Sequence, residues 1–380
     1  MLLAALILLA AVAVVSVDAA IGLQRIAWLA DLPRAGPAGL PRLSVVVAAR
    51  NEAPHLRAAL ESLLAQDYPA LEIVAVNDRS EDETGAILAG LAAAHSRLRV
   101  VTVQALPAGW LGKNHALAQG AASASGAFLL FTDADVIFAP GALRRAMGYV
   151  SSQVLDHLAV APAITSHSRA VRVFVAGFAI FFGLLTQPWR VRDPRSRAAV
   201  GIGAFNLVRR TAYEAAGGHR PIRLRPDDDL MLGRLLKRAG ARSDMLFGAG
   251  ALSVDWYGNL RDLTNGLLKN SFAGAGYSVP AVVAAAAMLV LLAIGPPAGV
   301  LLTEGLPRLT FAMTTAILLG AAMLSARTSG LAPALGLALP LSLLLFAYIL
   351  LRSTAVTLWR GGIEWRGTFY PLAELRRNRL

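Results

Sequence analysis

Four runs of this chain carry almost no charge, and they constrain the fold more than any other feature. The first, MLLAALILLAAVAVVSV, opens the sequence, and three more lie near residues 279 to 302, 309 to 326 and 331 to 351. Each approaches the roughly 20 residues that a helix needs to span hydrocarbon. An apolar fraction of 56% and a mean hydropathy of +0.55 exceed the soluble average, so part of the chain sits in lipid. Between the first run and the last three lies a polar stretch of globular composition. The expected organisation is an anchor over 1–23, a linker over 24–42, a globular domain over 43–254, an amphipathic interfacial segment over 255–278, transmembrane or re-entrant helices over 279–351 and a basic tail over 352–380.

A cleaved signal peptide is the alternative for the first run, but no Lys or Arg precedes it, which favours a retained anchor. Arg25, Arg34 and Arg42 follow it, and the positive-inside rule then places the globular domain in the cytoplasm of a multi-pass protein of the cell (inner) membrane. The net charge of +12 comes from scattered basic residues without a nucleic-acid motif. Contact with anionic lipid headgroups accounts for it better, and no nucleic-acid partner is expected. The absence of cysteine excludes disulfides, thiolate nucleophiles and zinc–thiolate sites.

From residue 43 the pattern alternates β-rich and helical runs: LSVVVAA, then PHLRAALESLLAQ with Pro54 suited to a first helical turn, then LEIVAVND. Ser80 and Glu83 have capping-box spacing for the next helix. LRVVTV, KNHALAQGAASA and AFLLFTD continue the rhythm. AAVGIGAFNLVRR reads as a strand, PDDDLMLGRLLKRAG as a helix stopped at Gly240, and SDMLFGAGALSV as another strand. Strand and helix in alternation mean an α/β fold with a mostly parallel sheet, which binds ligands at the carboxyl ends of its strands. Residues 171–189 are apolar but flanked by Arg, which favours a helix on the membrane surface. Three spans after a cytoplasmic domain would leave the tail outside, yet Arg352, Arg360, Arg366, Arg376, Arg377 and Arg379 favour the inside. One apolar segment is therefore expected to be re-entrant, with Pro296–Pro297 and Pro333 with Pro340 marking the candidates.

Acids gather at the predicted strand ends. Arg50, Asn51 and Glu52 close the first strand, Asp78 the second, and Asp133 and Asp135 the fourth. An Asp-x-Asp pair there can hold a hard divalent cation, Mg2+ or Mn2+, through one carboxylate and a ribose hydroxyl through the other. Asp78 can accept from the N–H groups of a base such as uracil, while the neighbouring Ser80, Asp82 and Glu83 suit helix capping. Lys113 opens a helix, where an ammonium and free N–H groups attract phosphate; a solvated lysine in a first turn is the plain alternative. A P-loop is excluded, because Pro107 replaces the first glycine and Asn114 the Ser or Thr. His115 is read as structural or at a substrate edge. Asp227, Asp228 and Asp229 open a later helix, where the helix dipole explains one or two and mutual repulsion can raise the pKa of another to that of a general base. Gly201 and Gly203 allow close backbone approach to a substrate, or mark a β-bulge.

This ordered set, Asn51–Glu52, Asp78, Asp133-Ala-Asp135 and Asp228–Asp229, resembles the inverting family 2 glycosyltransferases of GT-A type over about residues 43 to 250. GWLGKNHAL and the tail GGIEWRGTFY resemble its membrane-bound branch, which includes hopanoid-associated and carotenoid-ester glycosyltransferases. The resemblance implies a GT-A domain that binds a UDP-linked nucleotide sugar through Arg50, Glu52, Asp78, Lys113 and Asp133. It implies Asp135 as the metal ligand, Asp229 as the catalytic base with Asp228 where the family has glutamate, and Gly201, Gly203, Trp365 and Arg366 on the acceptor side. The Gln-x-x-Arg-Trp motif of processive members is missing from NGLLKNSFAG, which favours transfer of a single sugar to a lipid acceptor. A processive polysaccharide synthase, a non-catalytic sugar-nucleotide-binding protein and a transporter are the alternatives, the last disfavoured because the apolar runs nearly lack ionisable residues.

Overall fold

A computed structural model describes residues 1–378. The chain runs α1 (Leu2–Leu23), β1 (Leu43–Ala49), α2 (Ala53–Leu64), β2 (Leu71–Asp78), α3 (Thr84–Ala94), β3 (Leu98–Val103), α4 (Gly112–Ser123), β4 (Phe128–Thr132), β5 (Val136–Phe138), α5 (Ala142–Ser152), β6 (His157–Ala161), β7 (Ala163–Thr165) and α6 (Arg169–Thr186). It continues through β8 (Asn206–Arg209), α7 (Arg210–Ala215), α8 (Asp228–Arg238), β9 (Ser243–Phe247), β10 (Leu252–Asp255), α9 (Leu260–Gly266) and α10 (Leu268–Gly274). Last come α11 (Val279–Leu302), α12 (Gly305–Thr328), α13 (Leu339–Arg360), β11 (Gly362–Trp365), β12 (Thr368–Pro371) and α14 (Leu372–Arg377). Two compact units result: an α/β unit of residues 26–163 and 190–255, and a helical unit of residues 1–25, 164–189 and 256 onward. The predicted tail residue Arg379 lies outside the described residues.

In the α/β unit seven strands form one sheet in the order β3-β2-β1-β4-β8-β6-β9. All pairs are parallel except those of β8, which runs antiparallel to β4 and β6. β4 is buried at all five positions and β1 at six of seven, the continuous apolar pattern of strands covered on both faces. The strand order reverses beside β1, and a crevice opens at such a switch point at the carboxyl ends. Register makes those ends level, with Ala49 opposite Asn77 and Val47 opposite Thr132. Residues 50–52, 78 and 133–135 therefore leave the sheet together.

Local signals explain most boundaries. Pro54 sits in the first turn of α2, and α8 carries Asp228 and Asp229 at its start, Lys237 and Arg238 at its end, then Gly240 at φ 83°. Three expectations are corrected. The run read as one strand over 198–210 pairs only from Asn206 to Arg209, because residues 200–203 pack onto α8 instead. SDMLFGAGALSV breaks into β9 and β10 around a turn in which Ala251 N donates to Gly248 O and Gly250 adopts φ 82°. Ser80 and Glu83 form no capping box: the Ser80 hydroxyl accepts from Asn51 N (3.2 Å) and the Thr84 hydroxyl from Glu52 N (2.8 Å), stitching the loop after β1 to the loop after β2.

Among the described residues the helical unit holds five helices long and apolar enough to cross a membrane: α1, α6, α11, α12 and α13 with the turn before it. α11 and α12 form a hairpin in which Gly299 leaves room for the ring of Phe311. α11 runs unbroken through Pro296 and Pro297, whereas Pro340 lies in the first turn of α13 and Pro333 starts the 3-10 turn before it. Residues 171–189, expected on the membrane surface, lie mostly in α6. This helix packs on α13 through Phe174, Phe178 and Phe346 and through a bond from the Ser342 hydroxyl to Phe174 O (3.0 Å).

Candidate active site

The site is built on the carboxyl ends of β1, β2 and β4 and on the first turns of α4 and α8. Lys113, in the first turn of α4, places its ammonium 2.7 Å from Asp133 Oδ1 and 3.6 Å from Asp228 Oδ2. Desolvation works to lower its pKa, but the charges of Asp133, Asp228 and Asp229 outweigh it and hold the ammonium protonated well above the usual lysine range. Lys113 is thus an internal counter-ion as well as a helix-start cation, and the paired acids that end β4 have found one cation within the chain itself.

Asp229 is fixed by two backbone donors, Gly203 N to Oδ2 and Leu230 N to Oδ1, both at 2.8 Å. Burial raises its carboxyl above the usual carboxylate range, with Asp133 adding to the shift while Lys113 and the two N–H groups oppose it. Asp133 N in turn donates to Gly203 O (3.1 Å), so the 200–203 loop is clamped between the two acids. The two glycines are required for different contacts. A Cβ on Gly201 would lie 1.8 Å from Asp229 O, and one on Gly203 would lie 2.6 Å from Asp133 Oδ2. Gly201, expected to admit a substrate, instead admits the backbone of α8, and neither glycine lies in a β-bulge.

The three consecutive acids separate by partner. Asp227 accepts both ends of the buried Arg225 guanidinium (2.8 and 2.7 Å), Asp228 faces Lys113, and Asp229 faces the 203 loop. Asp78 is buried and takes a two-pronged bond from Arg79 (2.8 and 3.1 Å), which leaves acceptor capacity on its oxygens. It abuts Gly112 at the start of α4, one residue from Lys113. His115 lies against Trp110, and desolvation, opposed by Asp78, lowers its pKa.

Asp135 is the group left unmet. Its Oδ1 is buried without a hydrogen-bond partner, and burial followed by the charges of Asp133 and Glu52 pushes its carboxyl up to about 7. A hard divalent cation fits an orphaned carboxylate oxygen beside a second carboxylate. Among the described residues no group of three or more His, Asp or Glu is placed to hold a metal, so protein ligands alone would supply only part of a coordination shell.

Several supporting residues carry no motif. Asn114 is fully buried and its amide donates to Ile222 O (2.8 Å) and Arg225 O (2.9 Å), tying α4 to the loop before α8. Asn206 donates to Asp229 O (3.3 Å) and its Oδ1 meets His157 Nε2 at 2.6 Å. His219, buried against Lys113, bonds Tyr213 through Nδ1 (2.8 Å). Of the predicted acceptor-side residues, Gly201 and Gly203 join this cluster, whereas Trp365 and Arg366 belong to the helical unit. There Arg366 and Gly367, at φ 49° and 75°, make the two-residue turn of the β11–β12 hairpin.

The family model described as "Glycosyltransferase like family 2" matches residues 41–255, more than half of the chain and all the acids above. The chain belongs to glycosyltransferase family 2. The 4,4'-diaponeurosporenoate glycosyltransferases of Staphylococcus aureus strains MRSA252 and USA300 are each 24% identical over 343 residues, covering 87% of this chain and 89% of theirs. The mannosyltransferase PcManGT of Pyrobaculum calidifontis, solved with GDP-Man and Mn2+, shares the fold at a TM-score of 0.54 and 21% identity, covering 95% of this chain and 99% of its own. The chain is therefore a glycosyltransferase of GT-A fold, and its long apolar helices make it membrane-associated.

Proposed function

We propose that this glycosyltransferase moves one sugar from a nucleotide sugar, UDP-linked, to a lipid acceptor at the cytoplasmic face of the cell (inner) membrane. The observation that carries the reading is the unbroken polar path at the switch point: Asp78 against the start of α4, Lys113 to Asp133 and Asp228, and Asp133 through Gly203 to Asp229. The relatives named for a carotenoid acid support an apolar acceptor.

In this reading Asp78 and Arg79 orient the base, Arg50 and Glu52 border the donor, and Asp133 positions the ribose or sugar. Asp135, with Asp133 beside it, would hold Mg2+ or Mn2+, which when bound offsets charge on the departing diphosphate. The acceptor oxygen forms a bond to the anomeric carbon as the bond from that carbon to the diphosphate oxygen breaks, and the nucleoside diphosphate leaves with the electron pair. One in-line displacement inverts the configuration. For a hydroxyl acceptor Asp229 takes the proton, and its raised pKa suits that task. Lys113 offsets part of the negative charge of the acid cluster while donor phosphates arrive.

Chain connectivity supports the membrane arrangement. α6 is apolar with arginines at its flanks, and we place it on the membrane surface. Arg352 bonds Asn265 (2.8 Å) and Ser353 bonds Leu268 O (2.5 Å), which keeps the end of α13 beside the stretch that leads into α11. With α11 and α12 as a hairpin, α13 makes no net crossing; α1, α11 and α12 span, and the basic tail stays inside.

Purified protein in detergent with membrane lipids, Mg2+ or Mn2+ and a panel of UDP- and GDP-sugars should release nucleotide and label a lipid. Silence across the panel, or turnover that survives Asp135→Ala, overturns the assignment.

A further inference from the structure

Asn206 opens β8 and is buried, as is His157, the first residue of β6. The two strands are antiparallel, with Ala159 opposite Asn206 and His157 opposite Val208, so the two side chains leave one face of the sheet as diagonal neighbours. That face also carries Val208 into a core shared with Leu232 and Leu236, so it is the face that α8 covers. We propose that His157 and Asn206 are positioning residues for Asp229: the imidazole fixes which way the Asn206 amide points, and the amide holds the backbone of the base. The inference rests on the reading of Asp229 as the catalytic base and deepens it.

The direction of each hydrogen bond carries the argument. His157 Nε2 lies 2.6 Å from Asn206 Oδ1. An amide oxygen only accepts, so Nε2 holds the ring proton. Nδ1, buried without a hydrogen-bond partner among the described residues, is then the bare nitrogen of a neutral ring. Burial favours that state and lowers the pKa to about 4, because a second ring proton would have no acceptor. With Oδ1 engaged, Nδ2 of Asn206 donates to Asp229 O at 3.3 Å. Turning the amide over would set donor against donor at His157 and oxygen against oxygen at Asp229, so one N–H of His157 selects the orientation. The same Nδ2 stands 3.1 Å from the place a Cβ on Gly201 would take, so the amide borders both the 200–203 loop and the first turn of α8. Gly203 N and Leu230 N grip the Asp229 carboxylate while Asn206 grips its carbonyl, and the residue is held at both ends. Packing alone does not call for this pair. Leucine would fill either buried position without leaving a ring nitrogen unmet, and a buried unmet nitrogen needs a reason, here the service His157 gives Asn206.

Full-length enzyme in detergent with membrane lipids is assayed for nucleotide release on the panel of UDP- and GDP-sugars, with Asn206→Leu, His157→Leu, the two together and His157→Gln beside the wild type. Asn206→Leu should lower kcat about tenfold or more, since small displacements of a reacting group are costly. The donor KM should hold, because Asp78, Lys113 and Asp133 stand on other elements, at the ends of β2 and β4 and in α4. His157→Leu should lose a comparable share, and the double variant no more than the worse single one, as expected of residues acting in series. His157→Gln offers an amide N–H in place of Nε2–H and should recover most of the rate lost in His157→Leu. Melting temperatures separate positioning from folding. A lowered Tm with kcat per folded molecule kept, additive losses in the double variant, or a His157→Gln enzyme no better than His157→Leu each overturns the proposal. If the leucine variants do not fold, Asn206→Asp is read instead: it keeps an acceptor for His157 and removes the donor to Asp229, so kcat should fall, and an unchanged kcat overturns the proposal. Nitrogen NMR of 15N-histidine protein should show the Nε2–H tautomer for the signal that His157→Gln removes, and the opposite tautomer also overturns it. A wild type silent on every donor ends the sugar-transfer reading and this inference with it, whereas turnover that Asn206→Leu leaves intact ends the positioning role alone.

Discussion

Replacing Gly201 by alanine tests how far the acid cluster depends on the approach of the 200–203 loop to α8. The added Cβ would lie 1.8 Å from Asp229 O and 2.5 Å from its carbonyl carbon, backbone atoms with no rotamer to retreat into. Reaching ordinary contact at 3.4 Å opens the loop from the helix by more than an ångström. Gly203 N rides on the same loop, so its 2.8 Å bond to Asp229 is lost with the approach. Overpacking of this kind costs about 1–3 kcal/mol of stability, and a misplacement of about 1 Å at a reacting group costs on the order of 10²-fold in rate. Gly203→Ala is the graded comparison, since its Cβ would meet a side-chain atom, Asp133 Oδ2, at 2.6 Å, and that carboxylate can turn aside. Neither glycine has a positive φ, so both changes test space alone. Initial rates of nucleotide release should fall steeply for Gly201→Ala and less for Gly203→Ala, with melting temperatures recorded beside them. A Gly201→Ala enzyme with wild-type kcat, or the reverse order of damage, refutes the reasoning.

Four further outcomes are expected. Asp229→Asn should lower kcat about 10²–10⁴-fold with a hydroxyl acceptor and far less with a carboxylate acceptor, which has no proton to lose; the raised Asp229 pKa places the acid limb of the wild-type hydroxyl reaction above the ordinary carboxylate range, and a limb within that range contradicts it. Burial pushes His157 down to about 4 and His219 down to about 3, so stability is complete above about pH 6.5 and drains as pH falls toward those values, because only the unfolded chain takes up the protons; melting temperature against pH should show this slope, and His157→Gln should flatten it. Mn2+ should bind the free enzyme weakly and far more tightly with nucleoside diphosphate, and Asp135→Asn should remove the difference in a calorimetric titration. The chain has no cysteine, so Glu304→Cys and Asn378→Cys can be labelled singly with an impermeant maleimide: the first should react in intact cells and the second only after permeabilisation.

Much of the site was legible because strand ends are written locally. β1, β2 and β4 announce themselves as apolar runs, and the first acids at or after their ends, Glu52, Asp78 and Asp133, arrive in one crevice once the sheet is parallel. The 198–205 stretch was not legible, since its glycines look like strand interior until α8 packs against them. Asn114 gave no signal either, as its partners lie 108 and 111 residues away. The pairing of Lys113 with Asp133 required the position of α4 relative to β4, which no spacing encodes. Asp227 and Asp228 were indistinguishable as neighbours in a run of acids until Arg225 claimed one of them.

The seam between β4 and β8 has a consequence for biogenesis. A ribosome finishes β4 long before it makes β8, and among the elements it makes in between is α6, long and apolar enough to cross a membrane. Until the chain has passed α6 and reached β8, the half-built sheet presents an unpaired edge at β4, and neither Asp229 nor the loop that clamps it has been synthesised. The acid cluster is thus completed only after α6 has been made, and a fragment trimmed at either terminus would still carry that apolar helix in its middle.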